Sequence, residues 1–134
     1  MKTIAFDLDG TLVNLKPVLT CIADMSALKA LRSKYNFALV SGSSRAEVEW
    51  ALQETGLAPL FDTAYVVSKD DAQGNKASGE PFRELQRRVE GQVVMIGDSD
   101  SDEAGTTVAE IPFVRVKDSL QSAITEAVEK LKTL

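Results

Sequence analysis

A chain of 134 residues is long enough for one domain around one core, and folding it buries roughly two thirds of its unfolded surface. Its 15 Lys and Arg against 20 Asp and Glu give a net charge of −5, with the basic residues scattered rather than gathered in a stripe, so nucleic-acid binding has no electrostatic support. No apolar span is long enough for a membrane helix, and the N-terminus runs straight into a strand without a signal-like region, which argues against a membrane partner. The one cysteine, Cys21, excludes an intramolecular disulfide. Set in an apolar helical stretch, it reads as a buried, inert thiol, at home in a reducing cytoplasm.

Ile4, Ala5 and Phe6 form an unbroken apolar run, the mark of a strand buried in a parallel sheet, and Asp7 stands directly after it. Asp7-Leu8-Asp9-Gly10-Thr11 therefore exposes two carboxylates at a strand tip, where ligands bind in open α/β sheets. The plainer alternative is an Asp-rich turn that holds its own backbone. A short flap and a helix at 17–34 follow. Ala38, Leu39 and Val40 make a second apolar run, which ends in Ser41-Gly42-Ser43-Ser44 ahead of a helix at 44–55. Within it Ser44-x-x-Glu47 reads as a capping box, leaving Ser41 for a ligand, and Trp50 is expected in the core or an interface.

After a strand at 64–67, a polar loop carries Lys76 just ahead of a helix with Pro81 in its first turn. Lys69 competes for the same role and reads as a solvated loop charge. Val93-Val94-Met95-Ile96 is followed by Gly97-Asp98-Ser99-Asp100-Ser101-Asp102, a second acid at a second strand tip. Asp100 and Glu103 read as solvated surface. Asp102 either orients Lys76 or a metal-bound water, or is a helix N-terminal acid favoured by the macrodipole. The final helix carries Leu120, Ile124, Val128 and Leu131 at helical spacing and should cover one sheet face. With strands at 2–7, 37–41, 64–67, 93–97 and 113–116, and helices at 17–34, 44–55, 80–89, 101–109 and 119–132, the alternation predicts an α/β fold. It is a three-layer Rossmann-like sandwich with a mainly parallel five-stranded sheet, formed by residues 1–134 as a single domain.

In this order the segments resemble the four motifs of the haloacid dehalogenase superfamily of phosphohydrolases, over residues 2 to about 116. Asp7 to Thr11 is similar to its Asp-x-Asp-Gly-Thr, Ser41 to its strand-ending hydroxyl, Lys76 with Glu80, Pro81 and Phe82 to its lysine segment, and Gly97, Asp98 and Asp102 to its Gly-Asp-x-x-x-Asp. Ala77 and Gly79 replace prolines usual in the third motif. The resemblance implies Mg2+ held by Asp7 and Asp98 through their side chains and by Asp9 through its carbonyl. It implies Asp7 as nucleophile forming an aspartyl-phosphate, Asp9 as general acid and then base, and Ser41, Gly42 and Lys76 as the phosphate-binding groups, supported by Asp102. The chemistry is coherent. A carboxylate attacks an anionic ester only when a cation offsets the repulsion, and magnesium, a hard ion that keeps several waters, needs only one or two carboxylates. Within that resemblance, the carboxylate at Asp9 implies phosphoryl transfer rather than dehalogenation.

The gaps between motifs leave no room for the cap domain that many relatives insert, so the site should be open. A bulky substrate can close such a site itself, or a neighbouring subunit of a homo-oligomer can supply a lid. The leading expectation is a phosphorylated small-molecule substrate, with a phosphoprotein as runner-up within the same chemistry. A catalytically silent interaction module on this fold is the reading from another class, weakened by the presence of Asp7, Asp9, Lys76 and Asp98 together. A phosphate-accepting receiver domain is a poor fit, because its acceptor acid would end the third strand, where Val66-Val67-Ser68 stands.

Overall fold

The structure, a computed structural model, describes residues 1–134. Five strands, β1 (Thr3–Phe6), β4 (Asn36–Val40), β5 (Val66–Val67), β6 (Val93–Gly97) and β7 (Phe113–Arg115), form one sheet in the order β5-β4-β1-β6-β7. Every neighbouring pair in it is parallel. A separate antiparallel hairpin, β2 (Val13–Asn14) and β3 (Thr20–Cys21), rises after β1. The helices are α1 (Met25–Arg32), α2 (Arg45–Thr55), α3 (Glu80–Arg88), α4 (Asp100–Ala109) and α5 (Leu120–Thr133).

Side chains alternate across a strand, so each apolar run feeds two cores. Ile4, Phe6, Phe37, Leu39, Val94 and Ile96 face α1, α2 and α5, whereas Ala5, Ala38, Val40 and Met95 face α3 and α4. The result is the three-layer sandwich expected. No domain is inserted between β1 and β4, which are joined by the hairpin and α1, or between β4 and β6, which are joined by α2, short 3-10 turns, β5 and α3.

Several expectations need correction. The helix expected at 17–34 begins only at Met25, because Asp24 caps it there by accepting from the Ala27 amide, and the preceding residues form the hairpin. Cys21 accordingly sits on β3 and is exposed rather than buried in a helix. Trp50 is 48 % exposed, so of the core and the interface expected for it the core is ruled out. The buried face of α2 is Val48, Ala51 and Leu52, and a residue two positions after Val48 points to the opposite side of a helix. The expected strand at 64–67 contracts to Val66–Val67, since Thr63–Tyr65 forms a 3-10 turn capped by Asp62.

Candidate active site

Register brings the loops together. Phe6 lies opposite both Leu39 and Ile96, so β1, β4 and β6 end at one level and release Asp7, Ser41 and Asp98 side by side at the carboxyl edge of the sheet. The Asp7 amide donates to the Ile96 carbonyl at 3.0 Å, and the Ser41 amide to the Val67 carbonyl at 2.9 Å, which fixes both at their strand tips.

Asp7 is 7 % exposed and Asp102 fully buried. Lys76 stands between them, with Nζ 2.5 Å from Asp7 Oδ1 and 2.8 Å from Asp102 Oδ1. Burial pushes the Asp7 carboxyl up to about 7, against the attraction of Lys76 and with the help of the Asp102 charge. Burial alone would lower the Lys76 ammonium, but the charges of Asp7 and Asp102 outweigh it and hold it above its usual value. Lys69 makes no such contact and is exposed, so of the two lysines Lys76 is the one on Asp7.

Asp98 is exposed and completes a cluster in which carboxylate oxygens of Asp7, Asp98 and Asp102 lie within 4.8 Å of one another. Gly10 makes that approach possible. It has φ +80°, and a Cβ there would fall 2.0 Å from Asp98 Oδ2. The donor set is all hard oxygen. These residues fit a magnesium ion. Asp102 is the least available of the three, because its carboxylate is engaged by Lys76 and by the Ser99 hydroxyl at 2.9 Å.

Asp9 is exposed and does not join the cluster; its Oδ1 accepts from the Leu15 amide at 2.9 Å, tying it to the hairpin. The Ser41 hydroxyl accepts from the Ser43 amide at 3.0 Å and keeps its own proton to donate. A Cβ on Gly42 would meet nothing within 4 Å, so space is open above that turn. Ser44 caps α2 by accepting from the Glu47 amide, which leaves Ser41 free of that duty.

Ser99 was not singled out in the sequence, although Ser99-x-x-Asp102 has capping spacing; it accepts from the Asp102 amide and donates to its carboxylate. Gly105 is a second unanticipated contributor. A Cβ there would sit 2.0 Å from the Lys76 carbonyl oxygen, so only glycine lets α4 press against the turn that carries Lys76.

A profile of the haloacid dehalogenase-like hydrolases matches residues 22–106, more than half of the chain and including Ser41, Lys76, Asp98 and Asp102. The chain belongs to that family. Asp7 and Asp9 lie outside the matched span. No curated protein matches the sequence. Among solved structures, the hydrolase is similar to a haloacid dehalogenase-superfamily hydrolase of subfamily IA from Geobacter sulfurreducens, with TM-score 0.80 and 13 % identity over 93 % of this chain and 98 % of that one. It is also similar to a protein assigned as a β-phosphoglucomutase from Thermotoga maritima, with TM-score 0.73 and 18 % identity over 95 % and 91 % of the two chains. A third neighbour is the magnesium-bound haloacid dehalogenase-type hydrolase YfnB of Bacillus subtilis, with TM-score 0.61 and 20 % identity over 72 % of this chain and 43 % of that one. At these identities the likeness is one of fold.

Proposed function

We propose that this hydrolase is a magnesium-dependent phosphomonoesterase acting on a small phosphate ester. The observation that carries the reading is the pairing of a buried, raised carboxyl at Asp7 with Lys76 on one side and Asp98 on the other. Asp7 and Asp98 would hold the ion through carboxylate oxygens and Asp9 through its carbonyl, with Asp102 in support. When bound, magnesium keeps Asp7 ionised and offsets the phosphoryl charge that would repel it.

Asp7 then attacks phosphorus, forming an aspartyl-phosphate as the ester P–O bond breaks. The leaving oxygen takes a proton from Asp9. Asp9 next removes a proton from water, which attacks the same phosphorus and frees inorganic phosphate and the Asp7 carboxylate. Asp9 can exchange that proton at Oδ2, since Oδ1 is committed to Leu15. Acid–base help of this kind contributes about 10²- to 10⁴-fold. The Ser41 hydroxyl and the Gly42 amide would hold phosphoryl oxygens at the start of α2, where the helix dipole favours anions, and Lys76 adds fixed positive charge.

The open site leaves closure to the substrate or to a second subunit. No helix is long and apolar enough to cross a membrane, and no basic stripe supports nucleic acid. A cytoplasmic setting suits the exposed thiol of Cys21, which stays reduced there.

The test is phosphate release, with and without magnesium, from p-nitrophenyl phosphate, a set of sugar phosphates and a phosphopeptide, with Asp7→Asn beside the wild type. Release that requires magnesium and vanishes in Asp7→Asn, while circular dichroism shows an intact fold, is the expected result. Release only from the phosphopeptide would move the substrate to phosphoproteins, and undiminished release by Asp7→Asn would remove the nucleophile from Asp7.

A further inference from the structure

A cavity of about 270 Å³ opens beside Lys76, between the Ser41–Gly42 turn and the loop at 74–75. Apart from Pro81, its lining is polar or glycine, and it holds both lysines of this region, Lys69 and Lys76. Lys76 is committed to Asp7 and Asp102, whereas the Lys69 ammonium has no carboxylate partner. Its own neighbours in sequence are spent elsewhere: Asp70 accepts from the Arg45 amide at 2.8 Å, and Asp71 is bound by Arg45, Arg88 and Ser68.

Nor is Lys69 on a free-floating loop. Its amide donates to the Ser43 carbonyl at 2.9 Å, and Ser68 closes a capping box with Asp71 immediately before it. The backbone beneath the ammonium is therefore stapled to the turn expected to bind phosphate. Across the cavity, Asn75 spends its side-chain oxygen on the Ser78 amide, so its NH₂ remains as a donor. An unpaired cation and a free amide donor thus line a cavity whose one apolar side chain is Pro81, next to a cluster of three aspartates that would repel a second anion elsewhere.

Resting on the phosphatase reading above, we infer that this cavity receives the leaving-group end of the substrate, and that this end carries an anionic oxygen group read by Lys69 and Asn75. The substrate is then an ester whose alcohol bears a carboxylate or a second phosphate. Lys69 is a specificity residue and takes no part in bond making.

The test compares kcat/KM within matched pairs: glycerol phosphate against phosphoglycerate for the carboxylate, and fructose monophosphate against fructose bisphosphate for the second phosphate. Wild type should favour the anionic member of at least one pair, and the pair showing the preference identifies the group. Lys69→Gln should cut that preference about fivefold, the size of a partly exposed ion pair, mainly through KM. Lys69→Glu should reverse it, and Lys69→Arg should restore it. A wild-type ratio near unity in both pairs, or a preference that survives Lys69→Glu, overturns the inference while leaving the phosphatase reading standing. No magnesium-dependent release from any ester, p-nitrophenyl phosphate included, overturns both.

Discussion

At Gly10 two demands meet on one residue. The turn after Asp7 needs φ +80°, and the Asp98 carboxylate lies where a Cβ would be. Gly10→Ala should therefore strain the backbone and push Asp98 out of the cluster. Its expected signature is a magnesium requirement raised about 10- to 100-fold, as seen when the support of a metal ligand is disturbed, with little loss of maximal rate at saturating ion. Magnesium titrations of phosphate release read this directly, and an unchanged magnesium requirement would detach Asp98 from the metal. Asp7 was legible in the sequence because it follows an apolar run directly, and Asp98 because it follows the glycine that ends another. What the sequence could not give was their division of labour. Asp7 and Asp102 share Lys76 through contacts between distant loops that no local spacing encodes.

Among the elements, the edge strand β5 shows how the turn beside the site is anchored. Its Val66 carbonyl faces no further strand and instead accepts from Arg45 at 2.9 Å and Arg88 at 3.0 Å. Both guanidiniums also bind Asp71, so one carboxylate ties α2, α3 and the Ser68–Asp71 turn together. Burial tends to raise the Asp71 carboxyl, but hydrogen bonds from the Ser68 amide and hydroxyl and from Arg45 prevail and hold it at about 2. A folded value below the ordinary 3.8 means that this stabilisation is complete above that pH and is lost as pH falls through 2. After solvent screening it amounts to about 1 kcal/mol. Asp71→Asn should lower unfolding free energy by about that much at neutral pH, with the gap to wild type closing toward pH 2. Urea denaturation at both ends of this window measures it; a gap independent of pH would mean that the charge contributes nothing.

Long buried strands and amphipathic helices announced themselves at this scale because burial leaves a periodic trace. The hairpin did not. Its two-residue strands are largely exposed, so no alternation marks them, and the flanking apolar residues Val18 and Ile22 blend into the helical pattern that follows.

Over the whole molecule, the open site and the hairpin belong to one question. Val18 is 72 % exposed and Ile22 42 %, on the hairpin to which Asp9 is tied through Leu15, and a site of this kind must exclude water for its fixed charges to act fully. A second subunit seated on the hairpin would bury those side chains and close the site together. The expected outcome is an oligomer in sedimentation, converted to monomer by the double variant Val18→Asp with Ile22→Asp, and a kcat/KM that falls with dissociation. A wild-type monomer of full activity would leave closure to the substrate. The three layers were legible from strand–helix alternation alone, whereas closure was not, since nothing in a single chain's pattern records what covers an exposed apolar hairpin.

The covalent step proposed on Asp7 is the centre of the mechanism, and trapping it is the most direct measurement. Asp9→Asn keeps the nucleophile but removes the group that activates water, so brief exposure to p-nitrophenyl phosphate with magnesium, followed by acid quench and peptide mass spectrometry, should find phosphate on Asp7, labile to hydroxylamine. Wild-type turnover with no phosphorylated peptide in either protein, or phosphate on any other residue, would contradict it.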